Sequence, residues 1–188
     1  MQPDPETYYL RPTQFVPNSK LPVLLYRGVL GDSPSPESIR SLIEPNKWIR
    51  GGQWKTYPTA HFHSVSHECY AIFRGKSTFR LGKSPIDPEA SEEGEQLGRD
   101  VVLERGDIIV LPVSSRPLRG LNFNGRRTIF PLYGAYIIIQ AGVSHHSINS
   151  EGDFEYVGLY PEVCYQLQST SVIMAPRRLI EPGESTLG

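Results

Sequence analysis

HFHSVSHECYAIFRG, residues His61 to Gly75, holds three of the chain's five histidines and follows them with a carboxylate, Glu68. In an extended strand alternate side chains share a face, so His61 and His63 project together while Phe62 faces the other way. Two imidazoles placed in this way can approach one ion. After the short turn SVS, Glu68 opens a second strand whose carboxylate returns toward the same centre, with Tyr70 and Ile72 continuing that face. A third nitrogen must come from elsewhere, and the only other histidines are the adjacent His145 and His146. A lone histidine reads as a surface or packed residue; His-x-His before a glutamate, with every remaining histidine in one other cluster, reads as a metal site. Cys69 alternates away from Glu68 and has no base near it in sequence, so it reads as a small buried hydrophobe rather than a nucleophile.

The rest of the chain sets the frame for that site. Its 188 residues suit one domain with a sizeable core. With 19 Lys plus Arg against 20 Asp plus Glu, no charge excess points to nucleic acid or an anionic membrane, and a small molecule is the expected partner. The start MQPDPETYYLRP lacks the basic and apolar regions of a leader, and no apolar run reaches membrane-spanning length. Two cysteines, Cys69 and Cys164, make neither a disulfide framework nor a Cys-x-x-Cys pair. These features together predict a soluble cytoplasmic protein.

Seventeen glycines and seventeen prolines punctuate short alternating runs, the signature of a mostly β chain. Strands are expected within LPVLLYRG, KTYPTAHFH, ECYAIFRG, KSTFRLG, VVLERGDIIVLP and FEYVGLYP, the fifth turning at Glu104 to Asp107. One helix is expected in SPESIRSLIE, capped by Ser35, with Pro36 at its first position and Ile39, Leu42 and Ile43 on one face. The stretch PIDPEASEEGEQLG reads as a solvated acidic loop. Two decoys are set aside: GKS at Gly82 to Ser84 lacks the earlier glycine of a phosphate loop, and RGD at Arg105 to Asp107 is a turn before a buried strand.

At His61 to Gly75 the sequence resembles the cupin superfamily. The first cupin motif, G(X)5HXH(X)3,4E(X)6G, is matched by His61, His63, Glu68 and Gly75; only its leading glycine is misplaced, since Gly51 and Gly52 lie too far upstream. The second, G(X)5PXG(X)2H(X)3N, starts with Gly106 and Pro112, breaks off, and resumes at Ala141 with Gly142, His145 and Asn149. The wider stretch VPNSKLPVLLYRGVL, Trp48, Trp54 and FEYVGLYP are similar to small single-domain cupins of the YjlB type, so the resemblance spans roughly residues 8–112 and 141–161. It implies a single antiparallel jelly-roll barrel over about 20–162 with one short N-terminal helix. It also implies that His61, His63, Glu68 and His145 bind a divalent ion (Fe, Mn, Ni, Cu or Zn), with coordination positions left open.

Residues 113–140 interrupt the second motif without adding or removing a motif residue. The segment begins Val-Ser, whose codons can spell GTAAGT, and ends in Gln, whose codon can be CAG. It reads as a retained, in-frame intron that packs poorly on the barrel, with no strand pairing before AYIIIQ; a basic lid over the site is the rival reading. The tail 163–188 departs from the family pattern and receives no functional residue. Three imidazoles and one carboxylate with open positions suit a metal-dependent enzyme acting on a small organic molecule, with dioxygenase-like oxidoreductase chemistry ahead of isomerisation or epimerisation. A non-catalytic metal or ligand binder is the alternative. Tyr70 is the one candidate proton donor, His67 and His146 point away from the ion, and the resemblance further implies a homodimer.

Overall fold

The computed structural model describes residues 4–63, 66–113, 122–123, 126–127, 131–132, 135–136, 142–162 and 171–173. Its strands are β1 (Glu6–Tyr8), β2 (Val23–Tyr26), β3 (Trp48–Trp54), β4 (His61–His63), β5 (Glu68–Leu81), β6 (Arg99–Glu104), β7 (Ile108–Leu111), β8 (Asn122–Phe123), β9 (Arg126–Arg127), β10 (Pro131–Leu132), β11 (Ala135–Tyr136), β12 (His145–Pro161) and β13 (Ser171–Ile173). One helix, α1 (Pro36–Ile43), precedes β3. Among the described residues the fold is mostly antiparallel β with a single short α-helix. Among the described residues no helix is long and apolar enough to cross a membrane.

Two long strands organise the main sheet. β5 and β12 run antiparallel along most of their length, from Leu81 opposite His145 to Cys69 opposite Leu159. On its other edge β5 takes β7 and then β6, and β12 takes β4 and then β3, so each long strand serves two short partners in succession. The two segments ECYAIFRG and KSTFRLG are therefore one strand. It stays continuous through Gly75, which adopts φ +65° beside the bulge of β12 between Glu151 and Glu155. The sheet is not closed: its path runs from β1 through β2, β7, β5, β12 and β4 to β13, leaving those two end strands apart. The expected barrel is thus an open jelly-roll-like sheet among the described residues.

Alternation along β5 sorts the core into two layers. Tyr70, Ile72, Phe79 and Leu81 face inward with Val23, Leu25, Val101, Leu103, Ile109 and Tyr156. Cys69, Ala71 and Phe73 face outward with Val157 and Leu159, where α1 covers them through Ile39 and Ile43. Ser35 caps α1 as expected, its hydroxyl accepting from the Ser38 N–H while the Ser38 hydroxyl accepts from the Ser35 N–H. Leu42, expected on the buried face, is instead exposed: the helix rests on the sheet along a stripe narrowed to Ile39 and Ile43.

One turn reading is met by specific contacts. RGD is a turn: Gly106 has φ +102°, and the buried Asp107 accepts from Arg27 Nη1 at 2.7 Å and from the Gly28 N–H at 3.0 Å. β3 was not expected, because its core residues Gly51 and Gly52 lack the β-branched side chains that mark strands. These glycines make room: a Cβ at Gly51 would lie 2.2 Å from the Tyr160 ring, and one at Gly52 2.5 Å from the Trp54 ring.

The interruption at 113–140 is bridged at its base. The Val143 N–H donates to the Pro112 carbonyl at 3.3 Å, and the Gly142 N–H donates to the His63 carbonyl at 2.9 Å. If Pro112 were joined to Ala141, the first of these would be the closing hydrogen bond of an ordinary four-residue β-turn. Within the segment, β8 pairs with β9 and β10 with β11 in two small ribbons separate from the main sheet, so the expectation of no pairing before AYIIIQ is corrected. Ala141 and the segment's packing lie outside the described residues. A chain carrying the Pro112–Ala141 junction is expected to fold and to retain metal binding, as far-ultraviolet circular dichroism and a metal titration would read. Loss of either would make the segment an integral part of the fold.

Part of the tail joins the main sheet. Backbone pairing sets Ser171–Ile173 antiparallel to β4, with Ile173 opposite His61 and Ser171 opposite His63. The remaining tail, with Cys164, lies outside the described residues.

Candidate metal centre

β4, the start of β5 and the start of β12 deliver four side chains to one point inside the sheet. His61 and His63 share a face of β4, Glu68 is the first residue of β5, and His145, the first residue of β12, pairs with His61. One ligand atom from each lies within 4.8 Å of the other three. The expected set His61, His63, Glu68 and His145 is therefore brought together. His67 and His146 point elsewhere: His67 Nδ1 accepts from the Val113 N–H at 3.1 Å, and His146 sits half-buried opposite Arg80.

The backbone prepares the imidazoles for a cation. His61 Nδ1 lies 3.0 Å from the Thr59 carbonyl, and His145 Nδ1 lies 2.9 Å from the Val143 carbonyl. A carbonyl only accepts, so each Nδ1 carries the proton and each Nε2 keeps a lone pair for a ligand bond. His63 Nε2 is 2.8 Å from Glu68 Oε2, yet it is buried without an aligned hydrogen-bond partner. His145 Nε2 is 3.1 Å from the same oxygen. Ligand bonds of about 2.1 Å at right angles place neighbouring ligand atoms about 3.0 Å apart, so both separations fit a shared divalent ion.

The electrostatics point the same way. Burial alone would raise the Glu68 carboxyl, but the imidazoles of His63 and His145 outweigh it and hold the group well below the usual carboxylate range. Burial, helped by neighbouring His145, pulls His61 down to about 3, so it is neutral at physiological pH. Burial also pulls on His63, but there the Glu68 charge prevails and raises it above an ordinary histidine. His63 is thus the ligand that holds a proton in competition with a metal. Apparent metal affinity is expected to weaken about tenfold per pH unit below the raised His63 value and to level off above it. Metal titrations across that range, with proton release followed in buffers of different ionisation enthalpy, check both parts.

Tyrosines complete the cluster. Tyr70 OH, fully inside, lies 2.9 Å from Glu68 Oε2 and 2.9 Å from His145 Nε2. Burial and the Glu68 charge push its phenol well above the ordinary value, so it is a neutral hydrogen-bond donor. Tyr160 OH donates to the other carboxylate oxygen, Oε1, at 2.5 Å. Tyr57 meets the His61 ring edge-on at 4.9 Å. The sequence reading missed Tyr160, although period-two alternation in FEYVGLYP places Tyr156 and Tyr160 on one face. A narrow crevice lined by His63, Ser66, Leu111, Pro112, Gly142, Val143 and His145 adjoins the cluster. Cys69 is buried in the opposite layer with its thiol pushed up to about 12, first by burial and then by Glu68, which fits the packing reading.

A mostly antiparallel β fold that brings three imidazoles and one carboxylate together defines a cupin-like fold with a candidate metal site. No family model matches the chain. It is 23% identical over 162 residues to the uncharacterized protein YjlB of Bacillus subtilis (strain 168), an alignment covering 86% of this chain and 72% of that protein. Among solved structures it is similar to a DUF861-family protein of Thermotoga maritima, at 15% identity and a TM-score of 0.27 over 68% of this chain and 92% of that one. It is also similar to the vicilin of Solanum melongena, at 13% identity and a TM-score of 0.33 over 83% of this chain and 32% of that one. What the structure adds to the sequence resemblance is the convergence of His61, His63, Glu68 and His145.

Proposed function

We propose that the protein is a cytoplasmic metal-dependent enzyme acting on a small organic molecule, with dioxygenase-type oxidation the favoured reaction. The observation that carries this reading is the buried His61, His63, Glu68 and His145 set, which uses four positions of a five- or six-coordinate ion and leaves the rest for exogenous ligands. A bound ion would supply Lewis acidity and, if it were iron, one-electron chemistry. The chain's own contribution is orientation and dryness: Thr59 and Val143 carbonyls fix two imidazoles, and the neutral phenol of Tyr70 stands within hydrogen-bond reach of the ligand atoms as the proton donor. The narrowness of the crevice favours one second reading, a non-catalytic metal binder.

Oxygen consumption by the iron-loaded protein against a panel of small carboxylates, thiols and enols separates the two. Uptake that chelation abolishes supports the enzyme. Stoichiometric metal with no turnover of any candidate supports the binder. Pairing into a homodimer and the origin of 113–140 as a retained intron belong to the same proposal; a coding sequence without GT and AG at the ends of that segment would overturn the latter.

A further inference from the structure

Both oxygens of Glu68 are engaged before any ion arrives, and by different groups. Tyr70 OH reaches Oε2, the oxygen that faces His63 and His145, while Tyr160 OH donates to Oε1 at 2.5 Å, the short distance of a charge-assisted O–H···O⁻ bond. Tyr160 is held there by its surroundings. Its ring meets the His63 ring edge-on at 5.7 Å and lies over Gly51, where an added Cβ would come within 2.2 Å of it. β3 and β12 pair through this point, with Tyr160 opposite Ile49 and an irregularity between Gly158 and Leu159 that lets the ring pass over the glycine.

We propose that Tyr160 is a positioning residue that pins Glu68 Oε1 away from the ion, so that the carboxylate binds through Oε2 alone and one coordination position stays open for an exogenous anion. This rests on the metal-site reading above and adds what keeps that site reactive. A carboxylate free to turn would chelate with both oxygens and occupy the position that a small anionic ligand needs. A tyrosine hydroxyl donating to Oε1 opposes that turn, because chelation would break this short, charge-assisted bond. Gly51 takes part as the residue whose missing side chain permits the ring's position.

Cobalt(II)-loaded protein and azide test this directly, since visible absorption reports coordination and azide probes the open position. Tyr160→Phe is expected to bind cobalt at wild-type stoichiometry, to show a changed visible spectrum, and to bind azide at least about tenfold more weakly. Gly51→Ala, which displaces the ring without removing its hydroxyl, is expected to shift azide affinity the same way. Unchanged azide affinity and an unchanged cobalt spectrum in both variants would overturn the proposal while leaving the metal site standing. Failure of the wild type to bind cobalt at all would overturn both readings. Infrared spectra of wild-type protein with isotope-labelled glutamate give a test that needs no variant: a widely split carboxylate pair marks binding through one oxygen, and a narrow pair marks chelation and contradicts the proposal.

Discussion

Glu68→Gln is expected to weaken divalent-metal binding by more than about 100-fold and to leave the metal-free protein folded. Glu68 is the only anionic ligand in a set whose other members are neutral imidazoles when they bind, so its amide replacement removes the one charge that offsets the ion. Losing a residue that only supports a ligand already costs about 10–100-fold, and losing the charged ligand itself should exceed that. The fold is spared because glutamine keeps the shape, and its one carbonyl oxygen can still accept from one of the two tyrosines while its amide NH2 can donate to the hydroxyl of the other. Because the imidazoles outweigh the desolvation of the ionised Glu68, removing its charge is expected to lower the melting temperature in chelator while leaving a single cooperative unfolding transition. Metal content by mass spectrometry after dialysis, beside a thermal melt in chelator, reads both halves. Wild-type metal content in the variant would show that the carboxylate is not a ligand.

The second large effect is expected from Gly75→Ala, the closing glycine of the first cupin motif. Gly75 holds φ +65°, a region costly to residues with a Cβ, and that Cβ would lie 2.4 Å from the Glu151 carbonyl and 2.6 Å from the Gly152 carbonyl. These are backbone atoms across the sheet and cannot swing aside. The strain and the overpacking together are expected to cost about 3 kcal/mol. For a chain of this size that lowers the melting temperature by roughly 6–12 °C. A change of only a degree or two would mean that β5 and β12 can separate at this point without loss.

Why some features were legible in sequence and others were not follows from the range of the forces involved. His61 and His63 could be placed together because strand alternation is local, and Glu68 because it starts the next strand. His145 rested on motif resemblance alone, since only the pairing of β12 with β4 sets it beside His61. α1 was readable from Ser35 and Pro36, whose capping chemistry acts within a few residues, whereas the exposure of Leu42 depends on how the helix lies on the sheet. β3 was hidden because Gly51 and Gly52 are chosen for the rings of Tyr160 and Trp54, which arrive from elsewhere in the fold. The pairing of Ser171–Ile173 with β4 left no trace in composition, because a three-residue strand carries too short a pattern to distinguish from a loop.

The central claim is that four named side chains hold one ion. A crystal soaked with a divalent transition metal, with diffraction collected on both sides of that metal's absorption edge, tests it most directly. One anomalous peak per chain is predicted, within about 2.0–2.2 Å of the Nε2 atoms of His61, His63 and His145 and of Glu68 Oε2. A peak elsewhere, or none at this cluster under saturating metal, would contradict the account.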